Sequence, residues 1–161
     1  MKIPALLLRS FILGSLLFVP QPLRAQANAC ALLKPADLTT LLGGTPIAKP
    51  TMSGCSWTAP GSSKKLIAAI ITVKLPGVTT EMAYQGARED AGKEFAVTDE
   101  AGIGEKAFSS LQSFGVVLIS LKRGRMLQLQ YWTDTQGMDT PGTAKDLAAL
   151  RPVAKKAISA L

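Results

Sequence analysis

The stretch SFGVVLISLKRGRMLQLQYWT, residues 113–133, decides the fold. Residues 113–121 are a continuous β-branched and aliphatic run, and residues 126–133 alternate. Between them stands Lys122-Arg123-Gly124-Arg125, a polar break with a glycine, which reads as a hairpin turn. In the second strand Leu127, Leu129 and Tyr131 share one face. Met126, Gln128, Gln130 and Trp132 share the other. Two strands of this length joined by a tight turn require an antiparallel sheet with a core on the leucine side.

Reading outward toward the C-terminus, residues 134–142 are a polar Gly/Pro loop. From about Thr143 the residues Leu147, Leu150, Ala154, Ile158 and Leu161 keep a helical stripe across Pro152, which predicts one kinked helix. Toward the N-terminus, residues 95–98 and 106–109 are short strand candidates separated by Ala101-Gly102-Ile103-Gly104. A helix is expected at about 80–93, capped by Thr79 or Thr80. Its thin apolar face is Met82, Ala83, Gly86, Ala87 and Ala91, with Glu89 and Lys93 as an i,i+4 pair.

Residues 64–75 are apolar enough for a central strand covered on both faces, at least in part. Strands at 46–49 and 53–59 precede it, the second joined to it by the turn Pro60-Gly61-Ser62-Ser63. Cys55 and Trp57 point to one face of their strand, Ser56 and Thr58 to the other. The first helix has Pro35 at its start, Asp37 in its first turn and Gly43 as its stop, with Leu38, Leu41 and Leu42 facing inward. The order of helix, three strands, helix, strands and helix gives an α+β domain: an antiparallel sheet flanked by helices.

The first 27 residues read differently. Lys2, a run that is densest over residues 11–19, helix-breaking Pro20 and Pro22, and Ala25-Gln26-Ala27 make up a cleavable signal peptide. Cleavage is expected after Ala27, with Ala25 as the second choice. The uninterrupted run is shorter than the ~20 residues that span a bilayer. Residues 28–161 then form a single domain, expected in the periplasm or secreted. The whole chain carries a net charge of +7. Loss of Lys2, Arg9 and Arg24 lowers it to about +4, which fits weak attraction to anionic envelope surfaces and argues against nucleic acid as a partner.

The chain contains no histidine. That excludes His-based triads, His metal ligands and imidazole general bases. Its two cysteines, Cys30 and Cys55, form an even count in an exported chain and are expected to be bonded to each other. The rival reading makes Cys30 a lipid attachment site. Two thiols without histidine make a poor zinc site, so no metal and no cofactor are expected.

Three features of the chain resemble a group of exported bacterial domains of unknown function, many of them actinobacterial lipoproteins. These are Cys30-Ala31-Leu32-Leu33 with the helix that follows, Cys55-Ser56-Trp57 opening a strand, and Ala101-Gly102-Ile103-Gly104-Glu105-Lys106-Ala107-Phe108 before the last hairpin. The resemblance spans nearly the whole exported part. It implies a sheet flanked by helices, as in the photosystem II accessory protein PsbP, and it implies no catalytic residue. The upstream lipidated cysteine common in that group has no counterpart here.

Candidate sites follow from the same residues. Lys122, Arg123 and Arg125 form a basic hairpin tip, either a solvated turn or a weak anion-binding point. Met126, Gln128, Gln130 and Trp132 either line a ligand groove or lie under the terminal helix. Gly102-x-Gly104 reads as a structural turn, since no helix and no Gly-Lys-Ser/Thr follow it. Glu89, Asp90, Glu94, Asp99 and Glu100 lack calcium-loop spacing and read as a polar face. The expected function is a non-catalytic binding or accessory module of the cell envelope. Its partner would be an envelope protein or a small amphipathic ligand, with weak contact to an anionic membrane surface as a further expectation. The alternatives are a hydrolase working with carboxylates alone and a protein that acts by meeting anionic lipid.

Overall fold

The computed structural model describes residues 29–136 and 140–161. The expected signal peptide and its cleavage point lie outside the described residues. Seven strands form one fully antiparallel sheet in the order β1-β2-β3-β7-β6-β5-β4. They are β1 Ile47–Thr51, β2 Gly54–Thr58, β3 Lys65–Ile71, β4 Val97–Asp99, β5 Lys106–Gln112, β6 Gly115–Lys122 and β7 Arg125–Trp132. The helices are α1 Pro35–Leu42, α2 Thr80–Glu94 and α3 Ala144–Ser159, with a short 3-10 turn at Ala29–Ala31. This is the expected α+β class.

The sheet is two meanders joined edge to edge. One is β1-β2-β3 and the other β4-β5-β6-β7, and β3 pairs with β7 at the seam. The quoted hairpin closes as read. Lys122 pairs with Arg125, and Arg123 and Gly124 both take positive φ (51° and 68°), the two-residue turn whose twist matches antiparallel strands.

The first face of the sheet carries the main core. Cys55, Trp57, Leu66, Leu118, Leu129 and Tyr131 pack there against α1 and α3. Helix α1 starts at Pro35, with the Asp37 carboxylate accepting from the Lys34 backbone N–H at 3.0 Å. It stops at Gly43, whose φ of 76° only glycine adopts without cost. Helix α3 runs through Pro152. Proline supplies no N–H to the Ala148 carbonyl, and Ala148 is exposed, so the carbonyl is open to solvent rather than stranded in the core. The Lys156–Asp37 ion pair joins the two helices at 2.6 Å.

Tyr131 ties β7 to α1 by donating to the Leu41 carbonyl at 3.1 Å. Burial pushes its phenol up to about 12. A Tyr131→Phe variant leaves a last-turn helix carbonyl without its donor. Urea unfolding should show a loss of about 1–2 kcal/mol with an unchanged m-value.

Helix α2 lies on the second face, against Phe108, Val117, Ile119, Leu121 and Met126. Its buried stripe differs from the expected one. Tyr84 is the anchor, edge-on to Phe108 with centroids 5.4 Å apart, and Thr80, Ala87 and Ala91 complete it. Met82 is 55% exposed and Gly86 is also outside. Tyrosine carries far more apolar area than alanine, so it sets the rotation of a helix whose remaining face is thin. Thr79 is the cap, accepting from the Met82 N–H at 3.1 Å. Lys93 pairs with Asp90 at 2.7 Å rather than with Glu89. Positions three and four apart are both neighbours on a helix surface, and here the nearer carboxylate takes the ammonium.

Strand β3 ends at Ile71 instead of running to residue 75, and only one of its faces is closed. Leu66 and Ala68 are fully buried, while Ile67, Ala69 and Ile71 are half-exposed. The path of the chain explains this. After β3 it must reach β4, at the far edge of the sheet. Helix α2 therefore crosses the second face over β4–β7, and the second face of β1–β3 is left without a helix.

Candidate functional site

The uncovered half of the second face holds a groove of about 440 Å³. Its floor is Ile67, Ala69 and Ile71 from β3, with Gln128 and Gln130 from β7 beside them and Ser53 at one end. Alternation puts these side chains on one face, and register sets them side by side: Ile67 opposite Gln130, Ala69 opposite Gln128. Both glutamine side chains are partly exposed, and neither amide is hydrogen-bonded to another described group. The arrangement can bury an apolar body against β3 and offer two neutral donor–acceptor groups along its flank.

Of the four residues read as a ligand face, the two glutamines line this groove. Met126 is buried with the α2 cluster. Trp132 sits at the opposite end of β7, stacked on Phe114 with centroids 4.5 Å apart. It is not under the terminal helix, because α3 packs on the other side of the sheet. The sequence places Ile67, Ala69, Ile71 and Ser53 in strands but does not mark them as site residues. A continuous apolar run hides which of its two faces stays open.

The basic tip is largely occupied. Lys122 donates to the carbonyls of Ile158 (2.7 Å) and Ser159 (3.2 Å), and Arg125 donates to that of Leu161. Both side chains are half-buried. They satisfy carbonyls at the end of α3, where cations are favoured. Only Arg123 is exposed as expected, and the Glu105 carboxylate accepts from its backbone N–H. Lys122→Met should cost about 1 kcal/mol in thermal or urea unfolding, and Arg123→Asn less than about 0.5.

The Gly102-x-Gly104 segment is a turn. Gly104 has a φ of 67°, and a Cβ there would lie 2.5 Å from the Leu121 carbonyl oxygen. Ile103 inserts into the core and the Glu105 N–H closes the turn on Leu121 at 2.8 Å.

The carboxylates are dispersed. Asp99 accepts two hydrogen bonds from Arg88 of α2, at 3.1 and 3.2 Å. Its neighbour Glu100 turns to the other face. There it is buried and accepts from Arg151 of α3 at 2.7 and 3.0 Å and from Ser109 at 2.8 Å. Burial raises the Glu100 carboxyl, but the Arg151 and Ser109 hydrogen bonds outweigh it and hold the group below its usual range. Among the described residues no cluster of three potential metal ligands occurs, and no helix is long and apolar enough to cross a membrane.

Cys30 and Cys55 are disulfide-bonded, with Cα atoms 5.0 Å apart. The bond lies on the core face, across the sheet from the groove. Comparison with family models, curated proteins and solved structures finds no match to this chain.

Proposed function

We propose that this chain is a non-catalytic binding module of the bacterial cell envelope, exported to the periplasm or beyond, and that it binds through the groove on β3 and β7. One observation carries the reading: an apolar floor and two unpartnered amides lie side by side on the only half-face of the described sheet that no helix covers. The disulfide supports an oxidising compartment. The absence of histidine from the chain and the commitment of Asp99 and Glu100 to separate arginines support a role without catalysis. The resemblance to exported domains with the fold of PsbP is consistent with an accessory role.

The test is a ligand screen on the exported protein. A ligand seated in the groove should raise the unfolding free energy by about 2.7 kcal/mol at one hundred times its Kd. It should also change the emission of Trp132, one strand position-pair from Gln130. Ala69→Phe, which fills the floor without adding charge, should abolish both effects while leaving the circular dichroism unchanged. Binding indifferent to Ala69→Phe would place the working surface elsewhere.

A further inference from the structure

The strands that carry the open half-face, β1 to β3, bear charge of one sign, with Asp134 the acid that follows β7 at the Lys65 end. Residues 38–80, which include β1, β2 and β3, contain no Asp or Glu and four lysines: Lys49, Lys64, Lys65 and Lys74. None of these makes an ion pair among the described residues. All five ion pairs lie outside this segment, on residues of α1, α2, β4, β5 and α3 or beside them. Strands β1, β2 and β3 therefore carry two cations, Lys49 and Lys65, with no acid among them and no ion pair to either among the described residues.

The charges are also arranged directionally. Along β3 the groove-side residues run Lys65, Ile67, Ala69, Ile71: a cation, then three apolar positions. Lys65 pairs with Trp132 on β7 and Ile71 with Met126. Lys49 belongs to the cationic end as well. It pairs with Ser56, Ser56 with Ile67, and Ile67 with Gln130, which makes one row across four strands. Two strand spacings of ~4.8 Å separate the Lys49 backbone from the groove floor, within reach of an extended lysine side chain and a ligand headgroup together. At the opposite end Gly54 contributes no side chain.

Resting on the groove being the binding surface, we propose that its ligand is a free single-chain amphiphile with an anionic headgroup, carboxylate or phosphate. The head lies at Lys49, Lys65 and Gln130, and the alkyl chain runs along Ala69 toward Ile71. The apolar floor alone would accept a neutral amphiphile equally well. Lys49 and Lys65, the two lysines on the strands themselves, select the anion and favour this direction over the reverse one toward Lys74, which lies three residues past Ile71.

The experiment titrates the exported protein with dodecanoate, dodecyl phosphate, dodecyl maltoside and dodecyltrimethylammonium, all below their micelle concentrations. Trp132 emission and calorimetry are the readouts. Both anions should bind one to one and at least tenfold more tightly than the maltoside, with affinity falling as salt rises. Lys49→Gln/Lys65→Gln should remove that tenfold preference and leave the maltoside unchanged. Ala69→Phe should abolish binding of both anions. Equal affinity for anionic and neutral dodecyl chains overturns the proposal. So does binding to phosphatidylglycerol vesicles that survives Ala69→Phe while dodecanoate fails to bind, which would make the half-face a flat membrane contact. If only the maltoside binds, and Ala69→Phe removes it, the ligand class is wrong and the groove remains the binding surface. If Ala69→Phe changes no titration, both readings fall together.

Discussion

Reducing the Cys30–Cys55 bond is expected to lower the unfolding free energy by about 3.5 kcal/mol, the loop-closure entropy of a cross-link across a sequence separation of 25 residues. Cys55 is fully buried on β2, and Ala29, beside Cys30, is buried in the same core. The bond therefore anchors the 3-10 turn ahead of α1 against the sheet, and without it the segment would fray. For a domain of this size the loss corresponds to a fall in Tm of about 10 °C. Scanning calorimetry of the oxidised protein, the reduced protein and a Cys30→Ala/Cys55→Ala variant should place the last two together. Ligand affinity should not move, because the bond and the groove lie on opposite faces. A reduced protein that melts with the oxidised one would mean that packing alone holds the turn.

Arg151→Met is expected to cost about 2–4 kcal/mol at neutral pH. It strands the Glu100 carboxylate, 4% exposed, with Ser109 as its remaining side-chain partner. Breaking a fully buried pair costs about 3–5 kcal/mol, and the 42% exposure of Arg151 reduces that figure. The pH dependence identifies the cause. In the parent protein Glu100 is held below its usual range, so the pair contributes fully above the unfolded carboxyl value of about 4.3. That contribution is lost as pH falls through the lower folded value. In Arg151→Met burial is opposed only by the Ser109 hydrogen bond and raises the carboxyl relative to the parent. The variant's deficit should be greatest near neutrality and shrink toward pH 4. Glu100→Gln/Arg151→Met should be more stable than Arg151→Met alone at pH 7, since it removes the stranded charge. Urea unfolding at pH 4 and pH 7 measures all of this. A deficit independent of pH would assign the effect to lost packing of the arginine stem.

Much of this architecture was legible because its signals are local. Alternation over 126–133 placed Leu127, Leu129 and Tyr131 opposite Gln128 and Gln130, and the hairpin closed where Arg123-Gly124 required it. Pro35, Asp37 and Gly43 marked α1 because caps act within one turn of the backbone. The pairing of Cys30 with Cys55 followed from an even count in a chain read as exported. The sequence does not mark the face of α2, because its alanines give a weak periodic signal and Tyr84 decides the rotation by packing on Phe108, a contact between helix and sheet.

The groove depended on longer-range facts. Gln128 and Gln130 could be assigned to a face from sequence, but β3 lay hidden in an evenly apolar run. Which side of that run stays open depends on where α2 lands, and that follows from β4 pairing at the far edge of the sheet. The same holds for the basic hairpin. Lys122 and Arg125 look like a free cationic tip until α3 returns beneath them and presents its last carbonyls. Local sequence determined the elements, their caps and the two faces of each strand, because those depend on neighbours a few residues away. The tertiary structure alone decided which faces are covered and which charges are satisfied, because a side chain's partners are set by strand order and helix crossings between residues tens of positions apart.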